Sequence, residues 1–407
     1  MKKKTFYAVV VIMLVSTSLV GADNAGGSFG DDVAFLSKYT ETIVLSDKAG
    51  QAKIAVIPAW QGRVMTSTSG GDAGPSFGWI NRELISSKKF AEHINVFGGE
   101  DRFWLGPEGG QYSIFFAKGV PFDLDHWFTP APIDTMPYAV KGKTASSVRF
   151  GAEFQLTNYS GTTFNVKVDR EIKLLSAAEA WKKLGLKSVA GVKLVAFSTD
   201  NQITNTGKAA WTKDGGLLSI WILGMFNPSP ATTIVVPIKP GPESELGVKV
   251  TSDYFGPIPP ERLVVRDDVI FFSGDGKYRS KIGVNPMRSK AALGSYDADN
   301  QVLTIVVFTQ PAGVTDYVNS LWKLQDNPYG GDASNSYNDG PPKPGAKPLG
   351  PFYEIESSSP AAALAPGKSL THVHTTMHFS GPEEALDGIA KSALGVTLAE
   401  IKAALPK

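Results

Sequence analysis

Cysteine is absent from all 407 residues, which excludes a disulfide framework and any lipid-attachment cysteine. An excess of one charge is missing too. The 40 Lys and Arg residues face 39 Asp and Glu, no basic run occurs, and nothing supplies the electrostatic footprint of a nucleic-acid binder. There is no Gly-x-Ser-x-Gly elbow, His-Glu-x-x-His helix, Rossmann glycine pattern or Gly-Lys-Ser/Thr phosphate loop, so the enzyme classes built on those motifs find no support. Repeats of fixed short period and coiled-coil heptads are also lacking. The one long apolar run, Phe6 to Val15, is short for a transmembrane helix.

That run follows Lys2, Lys3 and Lys4 and precedes the small residues Val20, Gly21 and Ala22, the pattern of a signal peptide over 1–22. Cleavage there implies a periplasmic or secreted protein with no stable membrane span. Residues 23–40 read as a flexible leader. Beyond them, Gly (42 residues) and Pro (27 residues) punctuate short alternating or β-branched runs. These are Thr42 to Leu45, Lys53 to Pro58, Ser147 to Leu156, Thr163 to Leu174, Lys193 to Ser198, Leu217 to Leu223, Thr232 to Ile238, Gly247 to Thr251, Leu263 to Phe272 and Val302 to Phe308. Such a succession predicts a mainly β, large antiparallel domain over 41–380 rather than βαβ units.

Helices are few. Ser176 and Glu179 have capping-box spacing and open a short helix to Leu184. A second is expected over Thr315 to Leu324, and a helical tail over 381–407 from Pro382 to Leu394, then from Thr397 with Glu400. Asp326 to Gly350, which includes Asp339, has no periodicity and reads as a binding loop or a linker.

Three of the five histidines, His372, His374 and His378, recur at even spacing and share one face of a strand. Glu354 and Glu356 do the same upstream, across a turn-rich connection. If the two strands pair, carboxylates lie beside imidazoles. Three outcomes follow: acid–base catalysis, a divalent metal at His372 and His374, or plain cross-strand pairing. Phe97 to Gln111 carries two glycine pairs around Glu100, Asp101, Arg102, Trp104 and Glu108. It suits sugar binding by directed donors and an indole face, or a buried salt-bridge network with Trp104 in the core. His126 lies beside Asp123, Asp125 and Trp127, as a solvated loop histidine or a site residue. His93 reads as a packing residue, as do the isolated tryptophans Trp60, Trp79, Trp211, Trp221 and Trp322.

Taken together, Ile54-Ala-Val-Ile-Pro-Ala-Trp-Gln-Gly-Arg63, Gly98-Gly-Glu-Asp-Arg-Phe-Trp104 and Ile355-Glu-Ser-Ser-Ser-Pro360 resemble the galactose-mutarotase-like (aldose 1-epimerase-like) proteins, with the nearest likeness to a secreted bacterial branch. The resemblance implies a β-supersandwich, a sugar-contacting Arg102 and a catalytic Glu356. Those proteins carry a histidine acid midway along the chain, where Asp200 to Gly207 and Ser219 to Gly224 hold none. The acid is then expected from His126 or the C-terminal histidines. The resulting reading is an exported carbohydrate-binding or carbohydrate-modifying protein, of epimerase, lyase or hydrolase type if it is an enzyme. Glu356 acts as base with Glu354 and His374 beside it, and Arg102, Trp104, Glu100, Glu108, His126 and Asp339 bind the saccharide. No cofactor is expected. A noncatalytic glycan-binding or cell-envelope structural protein is the alternative.

Overall fold

Period-two alternation gives a strand one apolar face, and such strands bury it by stacking sheets. In the computed structural model, which describes residues 27–406, the strands form three antiparallel sheets. The proposed signal peptide lies outside the described residues. A ten-stranded sheet runs from Leu263–Val265 at one edge, through Thr232–Pro237, Val302–Phe308, Ser369–Ser380 and Lys193–Asn205, to Ala139–Lys143 at the other. Facing it is a five-stranded sheet in the order Ser280–Val284, Ser334–Asn338, Tyr353–Ser358, Ser219–Phe226, Arg102–Gly106. A three-stranded sheet, Ile43–Ser46, Lys53–Ile57 and Arg63–Thr68, completes the set.

The two large sheets close a shared core. Phe103, Ile220 and Ile222 meet Phe150, Val168 and Phe197, while Tyr353 and Ile355 meet Ile234, Phe272 and Val306. The other face of the ten-stranded sheet is covered by helices. Trp181 and the tail helices Glu383–Leu394 and Leu398–Ala403 pack on Phe271, Leu303, Met377 and Phe379. In the tail, Leu386, Ile389, Ala390 and Leu394 fall at helical spacing and are all buried. Both expected capping boxes, Ser176 with Glu179 and Thr397 with Glu400, are present. The result is the expected mainly β sandwich with short helices and a helical C-terminus.

Several expectations need correction. Phe29–Ser37 is not part of a flexible leader: it is a helix capped by Ser28, with Phe29 and Leu36 fully buried against the three-stranded sheet's outer cluster. Gly247 to Thr251 is not a strand, since Gly247 takes φ 72° after the short helix Glu243–Leu246, leaving one bridge from Thr251 to Gly283. Thr315 to Leu324 is not helical. Asn319 Oδ1 accepts the Leu321 N–H and Tyr317 bridges Gly330, so local side-chain bonding competes with helix formation. Asp326 to Gly350 is neither loop nor linker throughout, for it holds the strand Ser334–Asn338. Finally, the Glu and His strands do not pair. Tyr353–Ser358 belongs to the five-stranded sheet and Ser369–Ser380 to the ten-stranded one.

Candidate functional site

Register places the site. Across the five-stranded sheet, Arg102 pairs with Leu223, Leu223 with Glu356, and Glu356 with Asn335. The neighbouring rows run Trp104 to Trp221 to Ser358, and Met225 to Glu354 to Tyr337 to Lys281. Directly opposed residues point to the same side, and residues two apart along a strand share a face. Arg102, Trp104, Trp221, Glu354, Glu356, Tyr337 and Lys281 therefore share one face. Phe103, Ile222, Ile355, Ser357 and Ile282 share the other, which meets the ten-stranded sheet.

The polar face opens into a cavity of about 360 Å³ bounded by Arg102, Trp104, Trp221, Lys281, Tyr337 and Glu354, among others. Loops add Trp127 and Trp322, whose rings stack at 5.8 Å, while Trp104 and Trp221 meet edge to face at 5.6 Å. Charge is arranged in two pairs. Arg102 Nη2 donates to Glu354 Oε1 at 2.7 Å, and its guanidinium carbon lies 4.4 Å from the Trp104 ring. Lys281 Nζ donates to Glu356 Oε2 at 3.0 Å, and Trp221 Nε1 donates to the same oxygen at 2.8 Å.

Burial sets the proton chemistry. Loss of solvent pushes the Glu354 carboxyl up to about 8, reinforced by the neighbouring Glu356 and opposed by Arg102. Glu108 and Asp339, also in the cavity wall, are raised mainly by burial. Burial alone would lower the Lys281 ammonium, but Glu356 and further carboxylates outweigh it, and the net shift is upward. His93 is the one cavity-lining histidine among the described residues. Its Nδ1 lies 2.7 Å from the Trp127 carbonyl, an acceptor only, so Nδ1 carries a proton and, in the neutral ring, Nε2 is the accepting nitrogen.

The sequence candidates separate cleanly. Arg102, Trp104, Glu108, Asp339 and Glu354 line the cavity. Glu356 does not: it is fully buried behind the wall and anchors Lys281 and Trp221, so Glu354 is the strand's cavity-lining acid. His374 is excluded from the cleft by the sheet itself. Ser357, on the opposite face from Glu354, places Oγ 2.8 Å from His374 Nδ1 and 2.8 Å from His372 Nε2. Both imidazoles are held neutral by burial, His372 lowered to about 3 and His374 to about 4. A metal between them does not fit, because these nitrogens converge on a hydroxyl. Among the described residues no three His, Asp or Glu side chains gather as a metal-holding group.

Glu100 also turns inward, where Oε2 takes hydrogen bonds from His378 Nε2 at 2.9 Å and Ser67 Oγ at 2.8 Å. His126 is surface-exposed and paired with Asp123 at 2.6 Å, while its neighbours Leu124 and Asp125 reach the cavity. Sequence reasoning missed Trp127, Trp221, Trp322, Arg279, Lys281, Tyr337 and His93. The signal for two of these was readable: Arg279-Ser-Lys-Ile-Gly-Val284 alternates basic residues with small and apolar ones, as a strand with one functional face does.

A model for a family of unknown function (DUF6786) matches residues 27–405. No curated protein matches the chain. The Slr1438 protein from Synechocystis sp. PCC 6803 is a similar solved structure, with TM-score 0.50 and 12% identity over 84% of this chain and 96% of that one. A galactose mutarotase-like protein from Lactobacillus casei ATCC 334 has TM-score 0.45 and 13% identity, covering 83% and 100%. A galactose mutarotase related enzyme from Lactobacillus acidophilus has TM-score 0.43 and 10% identity, covering 84% and 98%. The likeness to the Slr1438 protein is one of fold.

Proposed function

Because the chain belongs to that family of unknown function, its role is read from its own residues, and we propose that it binds a carbohydrate in the cleft of the five-stranded sheet. The observation that carries this reading is the composition of the cavity wall. Four indoles, Trp104, Trp127, Trp221 and Trp322, surround charged groups fixed by pairing. Indole faces take the C–H side of a sugar ring, and directed Arg, Lys and carboxyl groups take its hydroxyls.

The same wall supports proton transfer. Glu354, raised to about 8, holds a proton at neutral pH and donates it to a sugar oxygen, while His93 Nε2 accepts one. Arg102 orients Glu354 and stabilises negative charge that develops beside it. Modification of the bound sugar is therefore part of the proposal, with Glu354 as the acid and His93, in place of Glu356, as the base. The pattern of residues 2–22 adds export, tested by N-terminal sequencing of the protein recovered outside the cytoplasm.

A glycan array identifies the ligand, and calorimetry with Glu354→Gln measures the contribution of the acid. Exchange spectroscopy by NMR on that ligand reads catalysis of anomer interconversion. Binding that persists without exchange or cleavage assigns the protein to the noncatalytic class, and an array with no binder refutes the carbohydrate reading.

A further inference from the structure

We propose that the ligand is a saccharide of at least two sugar units, held across a junction between the main cavity and a second, smaller one. This deepens the carbohydrate reading and rests on it. The smaller cavity encloses about 140 Å³ and adds Tyr254, Ser320 and Leu321, which the main cavity does not touch. Both are bounded by Glu108, Leu124, Phe255, Arg279, Lys281 and Trp322. Shared walls make them neighbours across one partition rather than unrelated surface dents.

Lys281 shows what that partition is built for. Its Nζ lies 4.6 Å from the centroid of Trp221 in the main cavity and 5.6 Å from that of Tyr254 in the smaller one. Glu356 fixes it at 3.0 Å. An ammonium has three donors, and the one taken by Glu356 leaves others for ring and bridging oxygens. The aromatic ring on either side then takes the apolar face of one sugar unit. Tyr254 is preformed for this role, because its hydroxyl donates to Asp332 and accepts from Asn335 Nδ2 at 3.1 Å. Half-buried Glu108, its carboxyl raised by burial, faces both cavities and offers a hydroxyl partner at the linkage. A single ring filling the main cavity leaves the smaller one to water, whereas a second ring displaces that water and gains the Tyr254 face.

The test uses the full-length protein on an array of mono- to hexasaccharides, then calorimetry with the strongest binder and its own mono- and disaccharide fragments. The disaccharide is expected to bind about tenfold more tightly than its monosaccharide, the ratio that ~1.4 kcal/mol produces. Leu321→Trp, which fills the smaller cavity, is expected to abolish that gain and leave monosaccharide affinity unchanged, with a melting curve confirming its fold. The length series in the wild type stands without the variant. Equal affinity for one unit and two, or a gain that survives Leu321→Trp in a folded protein, overturns the two-unit proposal while the carbohydrate reading stands. An array with no binder at any length overturns that reading itself.

Discussion

Both faces of the five-stranded sheet bury charged and polar groups, and they put them to opposite uses. On one face, Arg102–Glu354 and Lys281–Glu356 border an open cavity among indoles. Behind the other, Ser357 joins His372 and His374, while Arg170 pairs with Asp101 at 2.5 Å with both side chains wholly enclosed. Thr199 Oγ1 adds a hydrogen bond to Asp101 Oδ2 at 2.8 Å. The difference teaches that buried ionisable groups mark a site only where there is space beside them. Without space, the same chemistry ties two sheets together.

Asp101→Ala gives the largest expected effect on this contrast. It strands the enclosed Arg170 without its counter-charge, and loss of one partner of a buried pair costs about 3–5 kcal/mol of unfolding free energy. Chemical denaturation measures this, and saccharide affinity of the folded fraction is expected to stay unchanged. Glu354→Gln should do the reverse. Losing this hydrogen-bonding acid from the cleft, with its partners left unsatisfied, is expected to weaken saccharide binding by about 2 kcal/mol, roughly thirtyfold, with a smaller change in stability.

Stability against pH separates the faces a third way. The histidines have folded pKa values of about 3 and about 4, below the ordinary 6.5, so the unfolded chain binds more protons between those limits. Their contribution is fully present above 6.5 and is lost as pH falls toward 4, and His372→Gln should flatten that loss. Glu354 has the opposite sign. Its folded value of about 8 lies above the unfolded one, so stability falls as pH rises toward 8, and Glu354→Gln should remove that fall. Thermal melts across pH read both. The smallest effect is expected from His126→Ala, at an exposed pair outside the cavity: stability and binding both stay within measurement error.

Much of this was legible in the sequence. Alternation located most strands, including Thr163–Leu174 and Val302–Phe308 to the residue, and capping-box spacing located two helices. The even spacing of Glu354 with Glu356, and of the three histidines, assigned each set to one face. Which faces look at each other was not legible, because sheet membership depends on pairing between Tyr353–Ser358 and Ser219–Phe226, a strand more than a hundred residues away. Hence the histidines, which looked like partners of the glutamates, stand behind the sheet that carries them. Ser334–Asn338 escaped notice because its polar residues resemble a loop. Their bonds explain the composition: Ser336 Oγ donates to the Glu354 carbonyl, and Tyr337 faces the cavity. Trp221 looked like an ordinary core residue until the strand register placed it in the cleft, and Trp322 until its loop did.

The central claim is that the Glu354 face is the working face and the His374 face a structural one. Calorimetric titration of one array-selected saccharide into the wild type, Glu354→Gln and His374→Gln tests it most directly. The expected result is roughly thirtyfold weaker binding in Glu354→Gln, with wild-type affinity and a lowered melting temperature in His374→Gln. Wild-type affinity in Glu354→Gln together with lost binding in a folded His374→Gln would contradict it.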